Sequence, residues 1–408
     1  MSYFKKMDNF LIARTNKYNV FRCLVRQGPI NRAAIARLTN LSIPTVMTIT
    51  AELLEKKVIR SIGKGESSGG KPPEMLELVP DSYYTVGVDI GRTMIRLVAN
   101  NAAFEQRASL QELTGNPLPA KDFVKRVSGL ILRIIHMLHT EKEKIIGIGI
   151  AMPGLIEKET GRVIFSPDFE WSSVPLREWL LENLPFTLLV ENANRALALN
   201  ESYFEGEEDQ NHTTFSVNLG HGIGAGLVLG EELYMGAVGA SGEIGHITVE
   251  RNGPLCMCGN RGCLEAVASG DAIAKKAKSL MEKGRAPILA ELCGGKGHEI
   301  EARTVFEAAA AGDPEAGKIV DEAAEYIGMG LSMAINVLDP DRLILCGGLM
   351  RNGPSFFEKI KASIQKHKMK QTGRELVIFQ GTKGENSTAM GACRLLVNTL
   401  WNEQRLPI

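Results

Sequence analysis

The segment 245–266 constrains the fold of this chain more than any other. It carries three thiols and one imidazole within 18 residues, from His246 to Cys263, with Cys256 and Cys258 between them. Glycine and proline residues interrupt the segment, which lets a short loop wrap around a small ion. Cysteine and histidine ligands in sets of four hold tetrahedral Zn²⁺ at structural sites. The spacing therefore predicts a structural zinc loop, and a redox-active cysteine pair is the alternative.

The N-terminus and the apolar runs do not indicate export or membrane insertion. Lys5 and Lys6 precede only the short apolar stub Phe10–Ala13, so no signal peptide is readable. The longest apolar run, Ile145–Ile156, is rich in glycine and shorter than the roughly 20 residues that span a bilayer. We therefore expect a cytoplasmic protein with no membrane partner. In that compartment clustered cysteines are more often metal ligands than disulfides.

The charge of the chain is unevenly distributed although its total is zero. Basic and acidic side chains number 47 each. Residues 1–80 hold 13 Lys and Arg against six Asp and Glu, so this segment carries +7 and the remainder −7. A basic head on an acidic body is a common feature of DNA-binding proteins. A chance excess of surface lysines is the alternative.

The apolar pattern of the head predicts three short helices. The first, Lys17–Arg26, is stopped by Gly28-Pro29, and Asn31 is placed to cap the second. Ser42 is placed to cap the third helix, which has Pro44 in its first turn, where a missing N–H costs little. Two helices joined by a tight turn are typical of a helix-turn-helix.

The third helix and the residues after it indicate contacts with DNA. Thr45 and Thr48 lie opposite its apolar stripe, where small polar side chains reach base edges or phosphates. The stretch Arg60–Pro73, rich in Gly, Ser and Lys, then separates two apolar segments. A β-wing of this kind places Lys64 and Lys71 to meet phosphates, and a flexible linker is the alternative. We therefore expect a winged helix-turn-helix.

Beyond Tyr83, apolar strands that end in turns, most of them glycine-rich, alternate with helical stretches. The predicted strands are Thr85–Val88, Ile145–Ala151, Leu188–Val190, Phe215–Leu219, Leu227–Leu229 and Leu343–Cys346. The most regular helical stretches are Ala120–Leu138 and Pro314–Asn336. This alternation is typical of an α/β architecture.

Two of the turns have the composition of phosphate-binding loops. The first contains Asp89, Gly91 and Thr93, so that backbone N–H groups and a hydroxyl can cradle a phosphate. The second is a glycine-rich turn that contains Gly222 and Gly224. Turns of the form Asp-x-Gly also occur at plain hairpins, which is the alternative for the first loop.

Taken together, these motifs resemble the ROK family (repressor, open reading frame, sugar kinase), in its transcriptional-regulator branch and of the xylose-repressor type. The resemblance covers nearly the whole chain: the wing end Gly-Gly-Lys-Pro-Pro, the segment Gly-Glu-Ile-Gly-His, the zinc loop and Cys-Leu-Glu-Ala. The spacing His-x9-Cys-x-Cys-x4-Cys is its most specific part.

The resemblance implies an α/β chain of three parts. An N-terminal winged helix-turn-helix would occupy residues 1–80. A two-lobed fold of the actin-like, ribonuclease-H-like sugar kinase type would follow. Lobe 1 would comprise residues 81–192, with residues 387–408 returning to it, and lobe 2 residues 193–386 with the zinc loop.

The resemblance also implies a sugar site. Its residues map to Asn192, Glu243, His246 and Glu265, and Asp168 stands where the family often has a sugar-contacting Asn. Carboxylates accept strong charge-assisted hydrogen bonds from hydroxyls. One ring nitrogen of His246 can bind zinc while the other donates to the sugar. For Glu243 and Glu265, ordinary surface carboxylates are the alternative.

Departures from the family pattern argue against phosphoryl transfer. Family kinases read Glu-Asn-Asp-Ala-Asn, and this chain has Ala193 in place of the Asp that acts as general base. Loss of a positioned base typically lowers a rate roughly 10²–10⁴-fold. Arg92 and Met94 replace a glycine and a lysine of the first phosphate loop, and His221 replaces a threonine of the second. Nucleotide binding stays open, but ATP is not an expected cofactor.

The head and the altered body together predict a sugar-responsive transcriptional repressor that is not an enzyme. Its partners would be operator DNA, a small sugar and further copies of itself, as a homodimer or homotetramer. Closure of the lobes over a sugar, with xylose or glucose the expected type, would reorient the heads and lower operator affinity. The alternatives are an active ATP-dependent sugar kinase with a DNA-binding head, and a repressor controlled by a protein partner.

Overall fold

The computed structural model describes residues 9–66, 72–203, 212–294, 300–370, 376–403 and 405–406. A small head precedes two larger lobes that each contain a five-stranded sheet. No helix in the described ranges combines the length and the apolar character that a membrane crossing requires.

The head is a three-helix unit closed by a small sheet. Its elements are α1 (Asn9–Gln27), β1 (Ile30–Asn31), α2 (Arg32–Thr39), α3 (Ile43–Glu55), β2 (Ile59–Lys64) and β3 (Glu74–Leu78). Both predicted caps form, because Asn31 accepts a hydrogen bond from the Ala34 N–H at 2.9 Å and Ser42 accepts one from the Thr45 N–H at 3.3 Å. Antiparallel pairing of β2 and β3 makes the predicted wing.

Helix α1 is longer than predicted, since it begins at Asn9 and not at Lys17. Its last residue is Gln27, and Gly28 follows with a φ of 62°. Glycine adopts this left-handed conformation without strain, so the predicted stop is in place. The residues before Lys17 contain no glycine or proline that would end a helix earlier.

Lobe 1 is built on a sheet in which three antiparallel strands are extended by two parallel ones. Its strands are β4 (Tyr84–Ile90), β5 (Met94–Asn101), β6 (Gln106–Leu113), β7 (Ile145–Met152) and β11 (Leu188–Asn192), in the order β11-β7-β4-β5-β6. A second small sheet holds β8 (Leu155–Glu157), β9 (Arg162–Ser166) and β10 (Trp171–Val174). Helices α4 (Ala120–Met137) and α5 (Leu176–Leu181) complete the lobe.

Lobe 2 has the same sheet topology as lobe 1. In each sheet the first strand is central, the next two follow on one side and the last two lie on the other. Its strands are β12 (Thr213–Leu219), β13 (Ile223–Leu229), β14 (Glu232–Leu233), β15 (Arg342–Cys346) and β16 (Val377–Gln380), in the order β14-β13-β12-β15-β16. Its helices are α7 (Leu264–Ala268), α8 (Gly270–Glu282), α9 (Pro287–Leu292), α10 (Ala302–Ala310), α11 (Pro314–Leu338) and α12 (Pro354–His367).

Two helices form the layer in which the lobes meet. Helix α6 (Ala193–Glu201) packs against β12 and β13, and α13 (Ser387–Asn402) packs against β4 and β7. The two helices also pack on each other so closely that a Cβ on Gly391 would lie 1.8 Å from the Ala196 carbonyl oxygen. The C-terminal helix therefore returns to the sheet of lobe 1.

Candidate functional site

The four predicted metal ligands come together in one cluster. The ligand atoms of His246, Cys256, Cys258 and Cys263 all lie within 4.8 Å of one another. Cys258 Sγ is 3.6 Å from Cys263 Sγ, and Cys256 Sγ is 3.6 Å from His246 Nδ1. Tetrahedral Zn²⁺, with Zn–S bonds of about 2.3 Å, separates its sulfur ligands by about 3.8 Å. The donor set and its spacing fit this ion.

The backbone of the loop explains why the ligands converge. Isolated bridges pair Thr248 with Cys263 and Leu255 with Arg261, which folds the segment into a tight hairpin. Gly262 has a φ of 68°, and a Cβ there would lie 1.6 Å from the carbonyl oxygen of the residue it packs on, Glu250. Only glycine allows this approach, so the spacing of glycines in the loop has a direct structural reason.

His246 faces the metal cluster on one side and Glu243 on the other. Its Nδ1 lies next to Cys256, whereas its Nε2 is 3.8 Å from Glu243 Oε2. Burial raises the pKa of Glu243, against the opposing effect of His246 and Arg195. With Nδ1 on the metal, Nε2–H would be free to donate, and Glu243 could accept from a neighbouring hydroxyl.

Asn192 caps α6 and keeps one donor for a ligand. Its Oδ1 accepts hydrogen bonds from the N–H groups of Asn194 at 2.9 Å and Arg195 at 3.3 Å. Its Nδ2 donates to the Gly154 carbonyl at 2.8 Å. An amide nitrogen has two protons, so the second is available to a sugar hydroxyl. Glu265 on α7 accepts from the Ile223 N–H at 3.0 Å through Oε2.

Arg195 connects Asn192 with the segment that carries Glu243. Its guanidinium is 1% exposed, and its Nε donates to Glu191 Oε1 at 2.9 Å. Its Nη1 donates to the Gly239 carbonyl at 2.5 Å, in the loop that leads to Glu243. The sequence did not single out this buried pair, although the i, i+4 spacing of Glu191 and Arg195 on the edge of α6 was its signal.

A charge cluster spans the cleft between the two predicted phosphate loops. Arg92, in the turn between β4 and β5 of lobe 1, forms an ion pair with Asp271 in the first turn of α8 in lobe 2. His221, in the turn between β12 and β13, is 3.0 Å from the same carboxylate through Nδ1. Asp168 of lobe 1 lies 3.9 Å from Arg92. The predicted sugar residue Asp168 therefore belongs to this cluster in the structure.

Proton affinities in the cluster follow from these contacts. The hydrogen bond to Asp271 raises the pKa of His221, and burial raises the pKa of Asp168. Burial opposes ionisation of Asp271, but hydrogen bonds from His221 and Arg92 lower the pKa of that carboxyl overall. The sequence did not reveal Asp271, because its partners are remote in the chain and only its position after the Ser269 cap marks it.

The first phosphate loop closes on itself at Gly91 and exposes Thr93 at its tip. The Gly91 N–H donates to the Met94 carbonyl at 3.0 Å, and Thr93 is exposed. Asp89, the last residue but one of β4, is buried, and burial raises its pKa to about 7 against the charge of Arg96 at 3.9 Å.

The second glycine-rich turn is shorter than predicted. Strand β13 begins at Ile223, so the turn is confined to residues 220–222 and the strand predicted at Leu227–Leu229 starts earlier. Gly224 lies inside the strand and not in the loop. A Cβ there would lie 1.9 Å from Asn194 Nδ2, and one on Gly222 would lie 2.5 Å from Glu265 Oε2. These glycines bring the backbone close to the candidate site.

The predicted DNA contacts lie on the exposed side of the head. Thr48 is exposed and donates to the Pro44 carbonyl at 3.1 Å, while the hydroxyl of Thr45, which is partly exposed, lies 2.7 Å from that of Ser42. Lys64, the last residue of β2, is exposed. Lys71 lies outside the described residues.

Two apolar side chains on α3 were missed in the sequence. Ile43 and Met47 are 52% and 54% exposed, while Val46, Ile49 and Leu53 of the same helix are buried. Exposed apolar residues on a recognition helix can contact thymine methyl groups. Met47 lies off the core stripe, which was the available signal, whereas Ile43 stands three residues before Val46 and helical spacing alone places it with the stripe.

Comparison with known proteins identifies the family. The family model described as "ROK family" matches residues 85–399. The chain belongs to the ROK family. The resemblance inferred from the zinc loop and its neighbouring motifs is therefore confirmed.

Relatives of this ROK chain include regulators and kinases. A putative xylose repressor from Caldicellulosiruptor sp. (strain Rt8B.4) is 30% identical over 360 residues, which cover 88% of this chain and 89% of the relative. The crystal structure of a ROK family transcriptional regulator, a homolog of the E. coli MLC protein, has a TM-score of 0.80 at 24% identity and covers 96% of this chain and 97% of its own.

A ROK family glucokinase from Streptomyces griseus, solved with glucose and AMPPNP, is 28% identical with a TM-score of 0.65. It covers 76% of this chain and 98% of its own length. The regulator thus covers the ROK body together with the head, whereas the kinase covers a smaller part. The predicted fold class, α/β with an N-terminal head before a two-lobed sugar kinase fold, is confirmed.

Proposed function

We propose that this ROK chain is a sugar-responsive transcriptional repressor. The head binds operator DNA, the body binds a sugar without chemistry, and the bound sugar lowers operator affinity. Similarity to a putative xylose repressor over 88% of the chain supports this function, and the head and body are both part of that similarity.

One observation carries the proposal of a body that binds without catalysis. The ion pairs of Arg92, Asp271 and His221 cross the space between the two loops that would hold nucleotide phosphates. Ala193, the first residue of α6, offers no carboxylate as a general base. A body with this cluster and without a base is suited to closure over a ligand, not to phosphoryl transfer.

We propose that hydroxyl groups of the sugar are recognised by Asn192, Glu243, His246 and Glu265. Burial of Glu243 and the free proton of Asn192 Nδ2 support this assignment, because a partly buried polar group needs a partner. Asp168, which lies 3.9 Å from Arg92 in the charge cluster, is proposed as a further sugar contact.

We further propose that zinc fills the Cys3His cluster as a structural ion. Three thiolates and one imidazole are the ligands that it prefers, and the 3.6 Å spacings suit its tetrahedral shell. The ion would hold His246 in one orientation and tie its loop to α7, where Glu265 stands.

The DNA-binding part of the proposal rests on the head. Thr45 and Thr48 would read bases, and Lys64 and Lys71 would contact phosphates. A homodimer or homotetramer would place heads on a palindromic operator in the cytoplasm, where the DNA lies, and no membrane partner is involved.

A second candidate function is an active ATP-dependent sugar kinase that carries a DNA-binding head. The similarity to a glucokinase solved with glucose and AMPPNP favours it. Release of ADP in the presence of hexoses and pentoses, at the rates of ordinary sugar kinases, would establish that function. A repressor controlled by a protein partner instead would keep its operator affinity in every sugar.

The proposed sugar binding can be tested by a thermal-shift screen of free and phosphorylated sugars without nucleotide. A ligand at 100 times its Kd should add about 2.7 kcal/mol to the stability of the protein. The same ligand should then weaken operator binding at fixed salt. If no sugar shifts the melting temperature, the sensing part of the proposal is wrong.

A further inference from the structure

Helix α1 of the head contacts both lobes of the body at once. On one side, Arg22 and Arg26 form ion pairs with Glu231, in the turn between β13 and β14 of lobe 2. On the other side, the ring of Trp401, near the end of α13, stacks on Phe21 at a centroid distance of 5.7 Å and an interplanar angle of 12°. Tyr18 also packs on Trp401, at 4.9 Å.

The ionic contact lies in a partly desolvated cavity between head and body. The side chains of Arg22, Arg26 and Glu231 are 30%, 16% and 19% exposed. Charges at this depth interact more strongly than an exposed pair, because water screens them less. Two guanidinium groups one helical turn apart share a single carboxylate, so Glu231 is the anion that offsets both charges among the described contacts.

A third contact joins the head to the helix that begins at the candidate sugar site. Tyr203, just after α6, lies between the guanidinium groups of Arg26 at 5.6 Å and Arg394 at 4.0 Å from its ring centroid. Arg394 also donates through Nε to Asn200 Oδ1 at 2.9 Å. The start of α6 is capped by Asn192.

The candidate sugar site and the contact between head and body lie at opposite ends of one short helix, α6. Helix α6 has 9 residues, and at 1.5 Å per residue it spans about 13 Å. Helix α6 packs against the sheet of lobe 2, whereas α13 packs against the sheet of lobe 1. Glu231 therefore moves with lobe 2 and Trp401 with lobe 1 in any rotation between the lobes.

We propose that Glu231, Arg22 and Arg26 form an ionic clasp that positions the DNA-binding head by holding it to lobe 2 while Trp401 holds it to lobe 1. Because a rigid head cannot follow both lobes, its orientation depends on the angle between them. Glu231 is thus a positioning residue for operator binding, remote from both the DNA and the sugar. This inference rests on the proposed sugar response only for the signal that moves the lobes.

The clasp itself is tested without sugar or DNA. The full chain is labelled with 5-fluorotryptophan, and Trp401→Phe assigns one of the three ¹⁹F resonances. Glu231→Gln keeps the size of the side chain and removes its charge. We expect it to move or narrow the Trp401 resonance, while Trp171 and Trp179 report that lobe 1 is unchanged.

Glu232→Gln is the matched control, since it removes the same charge from the next residue, which is exposed on β14. It should leave all three resonances in place. If the Glu231→Gln spectrum superimposes on that of the wild type, the clasp is wrong, whatever the DNA assays show.

The coupling is tested by operator binding at fixed salt with and without the sugar found in the screen. Allosteric factors are typically about 5–150-fold, and in Glu231→Gln we expect less than about threefold. Glu232→Gln should keep the wild-type factor, and a wild-type factor in Glu231→Gln would overturn the positioning role. If the wild type ignores every sugar but Glu231→Gln still changes the Trp401 resonance, the proposed function is contradicted and the clasp stands.

Discussion

At the scale of single residues, Ala193 and Arg92 are the two positions that disfavour phosphoryl transfer and still allow sugar binding. Ala193 removes the base, while Arg92 reaches across to Asp271. Either change alone would weaken a kinase, and the second also places an ion pair across the cleft between the two predicted phosphate loops. We therefore expect that one substitution would not give this chain phosphoryl-transfer activity.

Replacement of Ala193 by aspartate tests whether the missing base alone prevents phosphoryl transfer. We expect Ala193→Asp to release no more ADP than the wild type in a coupled assay with hexoses and pentoses, because the charge cluster still spans the cleft between the two loops. Ala193→Asn, of similar size but without a basic carboxylate, is the control. A gain of roughly 10² or more in Ala193→Asp alone would mean that only the base was missing.

The charge cluster also predicts a pH dependence of stability. Asp271 and Glu301 raise the pKa of His221 against burial and Arg92, so the folded protein binds this proton more tightly than the unfolded chain. The resulting stabilisation is complete below the unfolded pKa of about 6.5 and is lost as the pH rises through the folded value.

We therefore expect the difference in melting temperature between the wild type and His221→Gln to be larger at pH 6 than at pH 9. Differential scanning fluorimetry at the two pH values measures it, with His136→Gln on α4 as the control. An equal difference at both values would show that His221 gains nothing from Asp271.

Residues with local partners were predictable from the sequence, and residues with remote partners were not. Asn31 and Ser42 cap helices that start within three residues, so composition alone places them. The metal ligands are close in sequence as well. Arg92 and Asp271 are 179 residues apart, and their meeting depends on how the lobes pack.

At the scale of elements, the loop that carries the Cys3His cluster is proposed to depend on zinc for its stability. We expect Cys258→Ser to lower the zinc content from about one per chain and to lower the melting temperature, because one of the four ligands is lost. Met257→Ser changes the neighbouring exposed side chain and should keep the ion. Elemental analysis of both variants measures the difference, and a wild-type protein without zinc would refute the assignment.

Substitutions in the wing and in the third helix of the head should affect DNA binding in different ways. Lys64→Ala should weaken binding to operator and to random DNA alike and reduce the salt slope by about 0.9, since one phosphate contact is lost. Thr48→Ala should instead change the preference among operator variants and keep the slope. Fluorescence anisotropy at several salt concentrations separates the two. Identical effects of both variants would contradict the assigned roles.

Element boundaries were harder to predict than element types. The start of α1 and the start of β13 both lay earlier than the apolar pattern indicated. In β13 the glycines suggested a loop, but they serve close packing of α6 on the strand, as the position of Asn194 next to Gly224 shows. A glycine needed for packing and a glycine needed for a turn look the same in a sequence.

At the scale of the whole molecule, the repeated strand order of the lobes explains how a sugar signal can reach DNA. Both sheets present one helix to the other lobe, α6 and α13, and these helices meet at Gly391. The head rests on the ends of this helix pair, on Trp401 and next to Tyr203. The motifs predicted the fold, but only the structure reveals that the head touches both lobes.

A sugar in the cleft is proposed to lower operator affinity without any reaction. The most direct measurement is the operator Kd at fixed salt and without nucleotide, for the wild type and for Glu243→Gln, each with and without the sugar. We expect the wild-type Kd to rise by about fivefold or more with sugar, within the usual range of allosteric coupling, and the variant Kd to stay constant. A wild-type Kd that no free or phosphorylated sugar changes would contradict the proposed sugar response.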